Sequence, residues 1–307
     1  MAILHLLEGL RSPVLNDFFL TVTELGGETA FLVLALIFFW CVDKRRGYYI
    51  MAVGFIGTIA NQFLKLWFRI PRPWVRDGSF TAVEAAKGDA GGYSFPSGHT
   101  QTSVGTFGSI AASAKNRIVQ VICITLAVLV GFSRMYLGVH TPADVLVGAV
   151  MALALVLIVK PVVYRGGHGG MKVLIAVMLA MAVGMLVYVE LNPAGFAADD
   201  VNYLSGLKNA YTMLGCLIGV AVVYFVDYRY LKFETDAIWW AQIIKAVLGL
   251  GVVLAVKEGL RAPLEALMPV YPARAVRYFL IVIAAGIVWP ATFKWFGKIG
   301  KKAGEVK

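Results

Sequence analysis

The chain has 307 residues, of which 59% are hydrophobic and only 15% charged, and its mean hydropathy is +0.76. A soluble globular protein carries about 25% charged residues because its surface faces water, so this composition excludes an ordinary soluble protein and predicts membrane insertion. The net charge of +10 does not indicate a nucleic-acid partner. Most Lys and Arg residues lie in short clusters between apolar stretches and at the C-terminus, as expected for loops on the cytoplasmic face of a membrane.

Residues 1–24 have apolar side chains at roughly helical spacing around Glu8 and Arg11. With charged residues inside this stretch, the pattern favours an interfacial or re-entrant helix over a further span. The segment lacks a basic start and an A-x-A cleavage site, so we expect no cleaved signal peptide.

Nine later stretches are candidates for helices that cross the membrane, which requires about 20 predominantly apolar residues. The nine candidates, the first extended back to about Gly26, are Thr29–Val42, Tyr48–Phe68, Gly98–Ala114, Ile118–Tyr136, Ala143–Val163, Val173–Val189, Ala210–Val226, Ile238–Val256 and Tyr278–Phe293. The third is short and rich in small residues, which allow close helix packing in lipid, so we expect it inside the bundle. The predicted fold class is an all-α, polytopic transmembrane helix bundle of about nine spans.

A glycine-rich stretch at residues 166–170 predicts a flexible linker between two regions. Residues 25–165, with about five spans, form the predicted catalytic core, since the recognisable chemistry lies there. Residues 171–307, with about four spans, form a C-terminal membrane region to which the sequence assigns no role.

Short basic loops predict the orientation of the bundle. Residues 43–46, 115–117 and 160–172 fall on one side if the helices alternate, and that side should be cytoplasmic. We therefore expect a multi-pass protein of the cell membrane, with the polar clusters described next facing the exterior or periplasm.

Three clusters of polar residues stand at predicted helix ends, where such residues are costly in a membrane and usually functional. By topology alone, all of these ends lie on one face of the bundle. The clusters consist of Lys65 and Arg72, then Ser97, Gly98 and His99, and finally Arg134, His140 and Asp144.

The first part of this chemistry is anion binding. Lys65, Arg72 and Arg134 provide three cations, two of them with planar guanidinium groups suited to phosphate oxygens. Backbone N–H groups of Ser97 and Gly98, at a helix start, favour an anion as well. Together they predict a site for a dianionic phosphoryl group.

The two histidines supply nucleophilic and acid–base chemistry. Thr141-Pro142 is typical of a helix start, which places His140 just before the helix and Asp144 in its first turn. Asp144 can then orient the His140 imidazole and leave its other nitrogen free to attack phosphorus. His99 can protonate the leaving oxygen and later activate water.

The residues Lys65-x6-Arg72-Pro73, Pro96-Ser97-Gly98-His99 and Ser133-Arg134-x5-His140-x3-Asp144 resemble the three-part signature of the type 2 phosphatidic acid phosphatase superfamily, which includes the vanadium haloperoxidases. The resemblance covers about residues 20–165. It implies Lys65, Arg72, Ser97, Gly98 and Arg134 as phosphate ligands, His99 as general acid, His140 as nucleophile and Asp144 as its partner, with no metal ion and no cofactor. The N-terminal stretch is also similar to the sphingosine-1-phosphate-phosphatase-like branch.

The sequence thus predicts an integral membrane phosphatase that acts on a lipid phosphate or diphosphate of the phosphatidate or undecaprenyl diphosphate type, through a phosphohistidine. Its expected partners are the lipid substrate and the bilayer. Two alternatives remain open: a lipid phosphotransferase on the same scaffold, and a transporter or flippase for lipid phosphates. Headgroup, chain length and oligomeric state are not predicted.

Overall fold

The computed structural model describes residues 1–88, 90–191 and 200–299, which contain helices and no β-strand. The helices of the first part of the chain are α1 Ala2–Glu8, α2 Pro13–Glu24, α3 Glu28–Ile37, α4 Lys44–Phe68, α5 Pro73–Arg76, α6 Glu84–Lys87, α7 Gly98–Ser113, α8 Arg117–Tyr136 and α9 Pro142–Arg165. A π-helical turn, Phe38–Val42, prolongs α3. The all-α class predicted from the sequence is confirmed.

Six further helices follow in the second part of the chain. They are α10 Gly167–Leu191, α11 Val201–Val226, α12 Trp239–Gly259, α13 Arg261–Leu267, α14 Val270–Ile283 and α15 Phe293–Phe296. π-helical turns at Asp227–Leu231 and Ala284–Val288 prolong α11 and α14.

Seven helices of the described residues are long and apolar enough to cross a membrane, and an eighth span results if the bent pair α2–α3 is one span. The two members of that pair meet at 47°. The protein is therefore a multi-span membrane protein. The predicted count of nine further requires α7, which has 16 residues and is shorter than the roughly 20 that cross a bilayer unaided.

Residues 1–24, predicted as an interfacial or re-entrant helix, contain a break. They form two helices separated at Gly9–Ser12, and the Ser12 side chain caps α2 by accepting from the Leu15 N–H at 3.4 Å. Proline at the first helical position fits this start. α2 then packs against α8.

The glycine-rich stretch also differs from the predicted linker. α9 ends at Arg165 and α10 begins at Gly167, whose φ of +55° is a left-handed conformation that glycine adopts at little cost. A Cβ at Gly170 would lie 2.8 Å from the carbonyl oxygen of Val162. The glycines therefore form a tight turn and the start of a helix, because the two backbones pass too closely for side chains.

α7 lies in the centre of the bundle, in contact with α4, α8 and α9, as its small residues predicted. Gly105 faces Val53 of α4, and Gly108 faces Val156 of α9. A Cβ at either glycine would lie 3.2 Å from the valine side chain. Because neither position carries a side chain, α7 approaches both neighbours closely, which brings its N-terminus to the helix ends that bear the polar clusters.

The C-terminal helices pack directly on the first part of the chain. α10 and α11 contact α4, and the buried Trp40 donates from its indole N–H to the Ala285 carbonyl at 2.8 Å. At the start of α4, the Lys44 ammonium lies 2.8 Å from the Asp227 carboxylate. The predicted two regions therefore share one continuous packed core.

α11 and α14 make the closest helix pair in this C-terminal region. A Cβ at Gly215 would overlap the Ala275 carbonyl oxygen, whereas one at Gly184 of α10 would meet nothing within 4 Å. We expect Gly215→Ala to lower the free energy of unfolding by about 1–3 kcal/mol, because the backbones must separate. Gly184→Ala should leave it unchanged or raise it slightly, since alanine is the better helix former.

Thermal unfolding of both variants in one detergent measures this difference. If Gly215→Ala unfolds at the same temperature as Gly184→Ala, the close α11–α14 contact does not stabilise the bundle.

Candidate active site

A polar cavity of about 140 Å³ opens where α4, α7, α8 and the start of α9 meet. Six of the eight residues predicted for the site line it, namely Lys65, Arg72, Gly98, His99, Arg134 and His140. Ser97 and Asp144 lie behind this lining and are buried. The structure thus brings together helix ends that are up to 79 positions apart in sequence, as alternating topology predicted.

The start of α9 holds the Asp144 carboxylate in place. The Thr141 side chain accepts from the Asp144 N–H at 3.3 Å, and Asp144 Oδ2 accepts from the Thr141 N–H at 2.8 Å, which together form a capping box. His140 precedes this cap, so its Nδ1 lies 3.6 Å from Asp144 Oδ2. The local sequence by itself therefore places carboxylate and imidazole side by side.

Ser94 binds the same carboxylate and was not predicted. Its hydroxyl donates to Asp144 Oδ2 at 2.6 Å, and both side chains are buried. Ser94 is 50 positions from Asp144 in sequence. No local pattern distinguishes Ser94, since a serine just before Pro96-Ser97-Gly98 is interpreted as part of a turn.

The contact between Arg72 and His140 defines the imidazole tautomer. Arg72 Nη1 lies 2.9 Å from His140 Nε2. A guanidinium group only donates, so Nε2 carries the lone pair and Nδ1 carries the proton that faces Asp144. Burial, together with the nearby Arg72, Lys65 and Arg134, lowers the pKa of His140 well below its usual value. This favours the neutral imidazole, in which Nε2 carries the free lone pair.

Backbone carbonyl groups hold the cations of the first cluster. Arg72 donates to the carbonyl oxygens of Gly92 at 3.0 Å, Gly91 at 3.1 Å and Val139 at 2.9 Å. Lys65 donates to the Tyr93 carbonyl at 2.5 Å. Because neutral dipoles satisfy these buried cations, their positive charge remains available to an anion in the cavity.

Arg134 is anchored from α2. Its Nη1 donates to the hydroxyl of Thr23 at 2.6 Å, a residue that the sequence did not single out. The Arg134 carbonyl accepts from the N–H groups of Val139 and His140 at 3.1 and 3.2 Å. The last turn of α8 therefore positions both the cation and the imidazole.

The start of α7 differs from the prediction in one respect. The Ser97 N–H, predicted to bind an anion, donates instead to the Asp144 carbonyl at 3.0 Å, and its hydroxyl caps α7 by accepting from the Thr100 N–H at 3.4 Å. Ser97 therefore joins α7 to α9, because a helix cap buried at a helix junction is satisfied within the protein. Gly98 and His99 line the cavity, which leaves their N–H groups at the helix start to face an anion.

Several further polar residues line the cavity and were not predicted: Glu28, Thr58, Asn61, Gln62, Gln101 and Thr102. Asn61 and Gln62 precede Lys65 by four and three positions on α4, the spacing of one helix face. Polar residues at that spacing in an otherwise apolar helix indicate a polar face, so the sequence could have predicted that these two residues line the cavity. Among the described residues, no three His, Cys, Asp or Glu side chains are close enough to share a metal ion.

Comparison with known proteins agrees with this geometry. The model of the PAP2 superfamily matches residues 46–168, and that of the PAP2 superfamily phosphatase, transmembrane extension, matches residues 211–302. The chain is 32% identical to phosphatidylglycerophosphatase B of Bacillus subtilis, over 49% of this chain and 76% of the relative. It is 31% identical to undecaprenyl-diphosphatase BcrC of the same organism, over 47% of this chain and 72% of the relative.

A crystal structure of a transmembrane PAP2-type phosphatidylglycerolphosphate phosphatase from Bacillus subtilis is also similar, with 31% identity and a TM-score of 0.43 over 52% of this chain and 81% of that one. The family match covers the helices that carry the cavity, and the relatives align over more than two thirds of their length. The chain therefore belongs to the PAP2 superfamily and carries, beyond its core, the transmembrane extension of that family's phosphatases.

Proposed function

We propose that this protein hydrolyses a lipid phosphate or diphosphate through a covalent phosphohistidine at His140, without a metal ion. One observation carries the proposal: His140, whose Nδ1 lies 3.6 Å from the Asp144 carboxylate and whose Nε2 lies 2.9 Å from Arg72, lines a cavity bordered by three cations. Three cations around one cavity suit a phosphoryl dianion and disfavour a metal ion.

In the first step, Nε2 of His140 attacks phosphorus and the bond between phosphorus and the leaving oxygen breaks. His99, which lines the same cavity, takes up a second ring proton when the phosphate dianion offsets the three cations. It donates this proton to the leaving oxygen, and the lipid alcohol or lipid monophosphate departs. Lys65, Arg72 and Arg134, with the N–H groups at the start of α7, stabilise the charge on the equatorial oxygens.

In the second step, His99 removes a proton from water, and the hydroxide attacks the phosphorus. The Nε2–phosphorus bond breaks, inorganic phosphate leaves and both imidazoles return to their initial states. Arg72 has to withdraw from Nε2 before the first step, and phosphate oxygens can replace it because they accept the same N–H groups.

The proposed substrate is a lipid of the bacterial cell membrane. The relatives are by name a phosphatidylglycerophosphatase and an undecaprenyl-diphosphatase, which supports a phosphate ester or diphosphate on a membrane lipid. The cavity lies at the helix ends opposite the basic loops that begin α4 and α8. By the positive-inside rule we place it at the exterior or periplasmic surface, where a headgroup enters from the bilayer.

Replacing the nucleophile tests the mechanism. We expect His140→Ala to lower phosphate release from lipid phosphates by at least about 10³-fold, because no covalent intermediate forms. A matched control is His168→Ala, since His168 stacks on Tyr228 outside the cavity. Activity of the wild type should persist in excess chelator.

Phosphate release is measured with purified protein in detergent, with and without an alcohol acceptor. Undiminished hydrolysis by His140→Ala would refute the covalent mechanism. Phosphorylation of the acceptor without release of inorganic phosphate would show a phosphotransferase, and activity lost in chelator would show that a metal is required.

Removing the Ser94 hydroxyl tests the role of Asp144. Ser94→Ala should lower kcat by about 10- to 100-fold with little change in KM, since a hydrogen bond to a charged group contributes about 1.5–3 kcal/mol. Ser94→Thr should restore part of this loss. Ser113→Ala is the control, because its hydroxyl donates to the Ser109 and Ile110 carbonyl groups at the end of α7 that lies away from the cavity.

Steady-state kinetics of the three variants separate positioning from folding. An unchanged kcat in Ser94→Ala, or an equal loss in Ser113→Ala, would contradict this role for Ser94.

A further inference from the structure

A second, smaller cavity of about 40 Å³ adjoins the active site and is bordered by the C-terminal extension. Gln62, Lys65 and Gly91 line both cavities. The outer wall of the smaller cavity consists of Asn202 and Ser205, in the first turns of α11. A group attached to a phosphate in the active site therefore has a polar space beside it, formed partly by residues outside the catalytic core.

Close packing holds α11 against the core at this point. A Cβ at Gly206 would lie 2.9 Å from the Leu66 side chain, so α11 approaches α4 more closely than a larger residue would allow. Asp200 caps α11 by accepting from the Asn202 N–H at 2.7 Å. The positions of Asn202 and Ser205 relative to Lys65 are thus set by backbone packing and by a helix cap.

The orientation of the Asn202 amide follows from its neighbour. Asn202 Nδ2 donates to Asp200 Oδ1 at 2.8 Å, and a carboxylate only accepts, so the amide nitrogen faces Asp200. Oδ1 then points towards the 91–93 loop, 3.5 Å from where a Cβ of Gly92 would lie. Asn202 therefore presents an acceptor, not a donor, to the cavity side.

The surroundings favour a group that donates hydrogen bonds. Asn202 Oδ1 accepts, the Ser205 hydroxyl can accept as well as donate, and the Asp200 carboxylate stands next to Asn202. Burial, and after it the charge of Asp200, raise the pKa of Tyr93 in the 91–93 loop. Lys65 lines this cavity as well and would attract a second phosphate, but Asn202 Oδ1 and the Asp200 carboxylate would repel it, whereas a hydroxyl would donate to Asn202 Oδ1.

We propose that Asn202 and Ser205 of the C-terminal extension determine specificity, by binding a hydroxyl group of the lipid headgroup next to the phosphate ester that is cleaved. The preferred substrates are then phosphate monoesters of hydroxyl-bearing headgroups, such as a glycerol phosphate headgroup, over lipid diphosphates. This inference rests on the proposed function, since it concerns the same phosphoryl site.

A matched pair of substrates tests it. One is phosphatidylglycerophosphate, and the other is its analogue with a propanediol phosphate headgroup, which lacks the central hydroxyl. We expect the wild type to favour the first by about three- to tenfold in kcat/KM, the value of one neutral hydrogen bond. Asn202→Ala and Ser205→Ala should each reduce this preference, while hydrolysis of the analogue and of p-nitrophenyl phosphate changes by less than about twofold.

Asn209→Ala is the control, because Asn209 lies two turns further along the same side of α11 and borders neither cavity. An equal loss on all substrates would show that Asn202 and Ser205 are only structural and would overturn the inference. So would an unchanged preference in both variants, or a preference of the wild type for a polyprenyl diphosphate.

Failure of the proposed function gives a different result, namely a wild type that hydrolyses none of these compounds. In that case a binding measurement tests the inference by itself. His140→Ala protein should bind phosphatidylglycerophosphate more tightly than the propanediol analogue, and a further Asn202→Ala substitution should remove this difference in affinity. Equal binding of the two lipids would refute it.

Discussion

The buried carboxylate of Asp144 is the contact on which the rest of the site depends. It accepts from the Thr141 N–H and the Ser94 hydroxyl, faces the His140 imidazole, and its residue's carbonyl accepts from the Ser97 N–H. An ionised carboxylate in a membrane bundle is costly unless hydrogen bonds satisfy it. These bonds therefore join α7, α9 and the loop before α7 into one unit, and this unit orients His140, the proposed nucleophile.

The 91–93 loop has a comparable role for the cations. Its carbonyl oxygens hold Lys65 and Arg72, and Arg72 in turn contacts His140. The opposite side of the loop faces Asn202 of α11. Because one loop borders both the phosphate site and the C-terminal helices, a displacement of α11 would change the environment of the cations. The C-terminal helices carry none of the signature residues, but through this loop they can affect the proposed reaction.

Backbone proximity makes this arrangement possible. A Cβ at Gly148 of α9 would lie 2.7 Å from the Ser97 carbonyl, and one at Gly26 would lie 2.8 Å from the His99 carbonyl. Side chains at either position would push α9 or the start of α3 away from α7. In a bilayer, where burial of apolar surface does not drive helix association, such small residues determine how closely the active-site segments meet.

The sequence by itself determined the membrane class, most of the helices, and the pairing of His140 with Asp144, since that pairing depends on a Thr-Pro helix start only a few residues long. It also indicated which helix ends share a face, because alternating spans leave no other choice. The use of the Ser97 N–H, the Ser94–Asp144 bond, the contact of Arg72 with His140 and the second cavity were decided only by the tertiary structure. Each joins segments that are distant in sequence, and their separation depends on how closely whole helices pack, which no local pattern encodes.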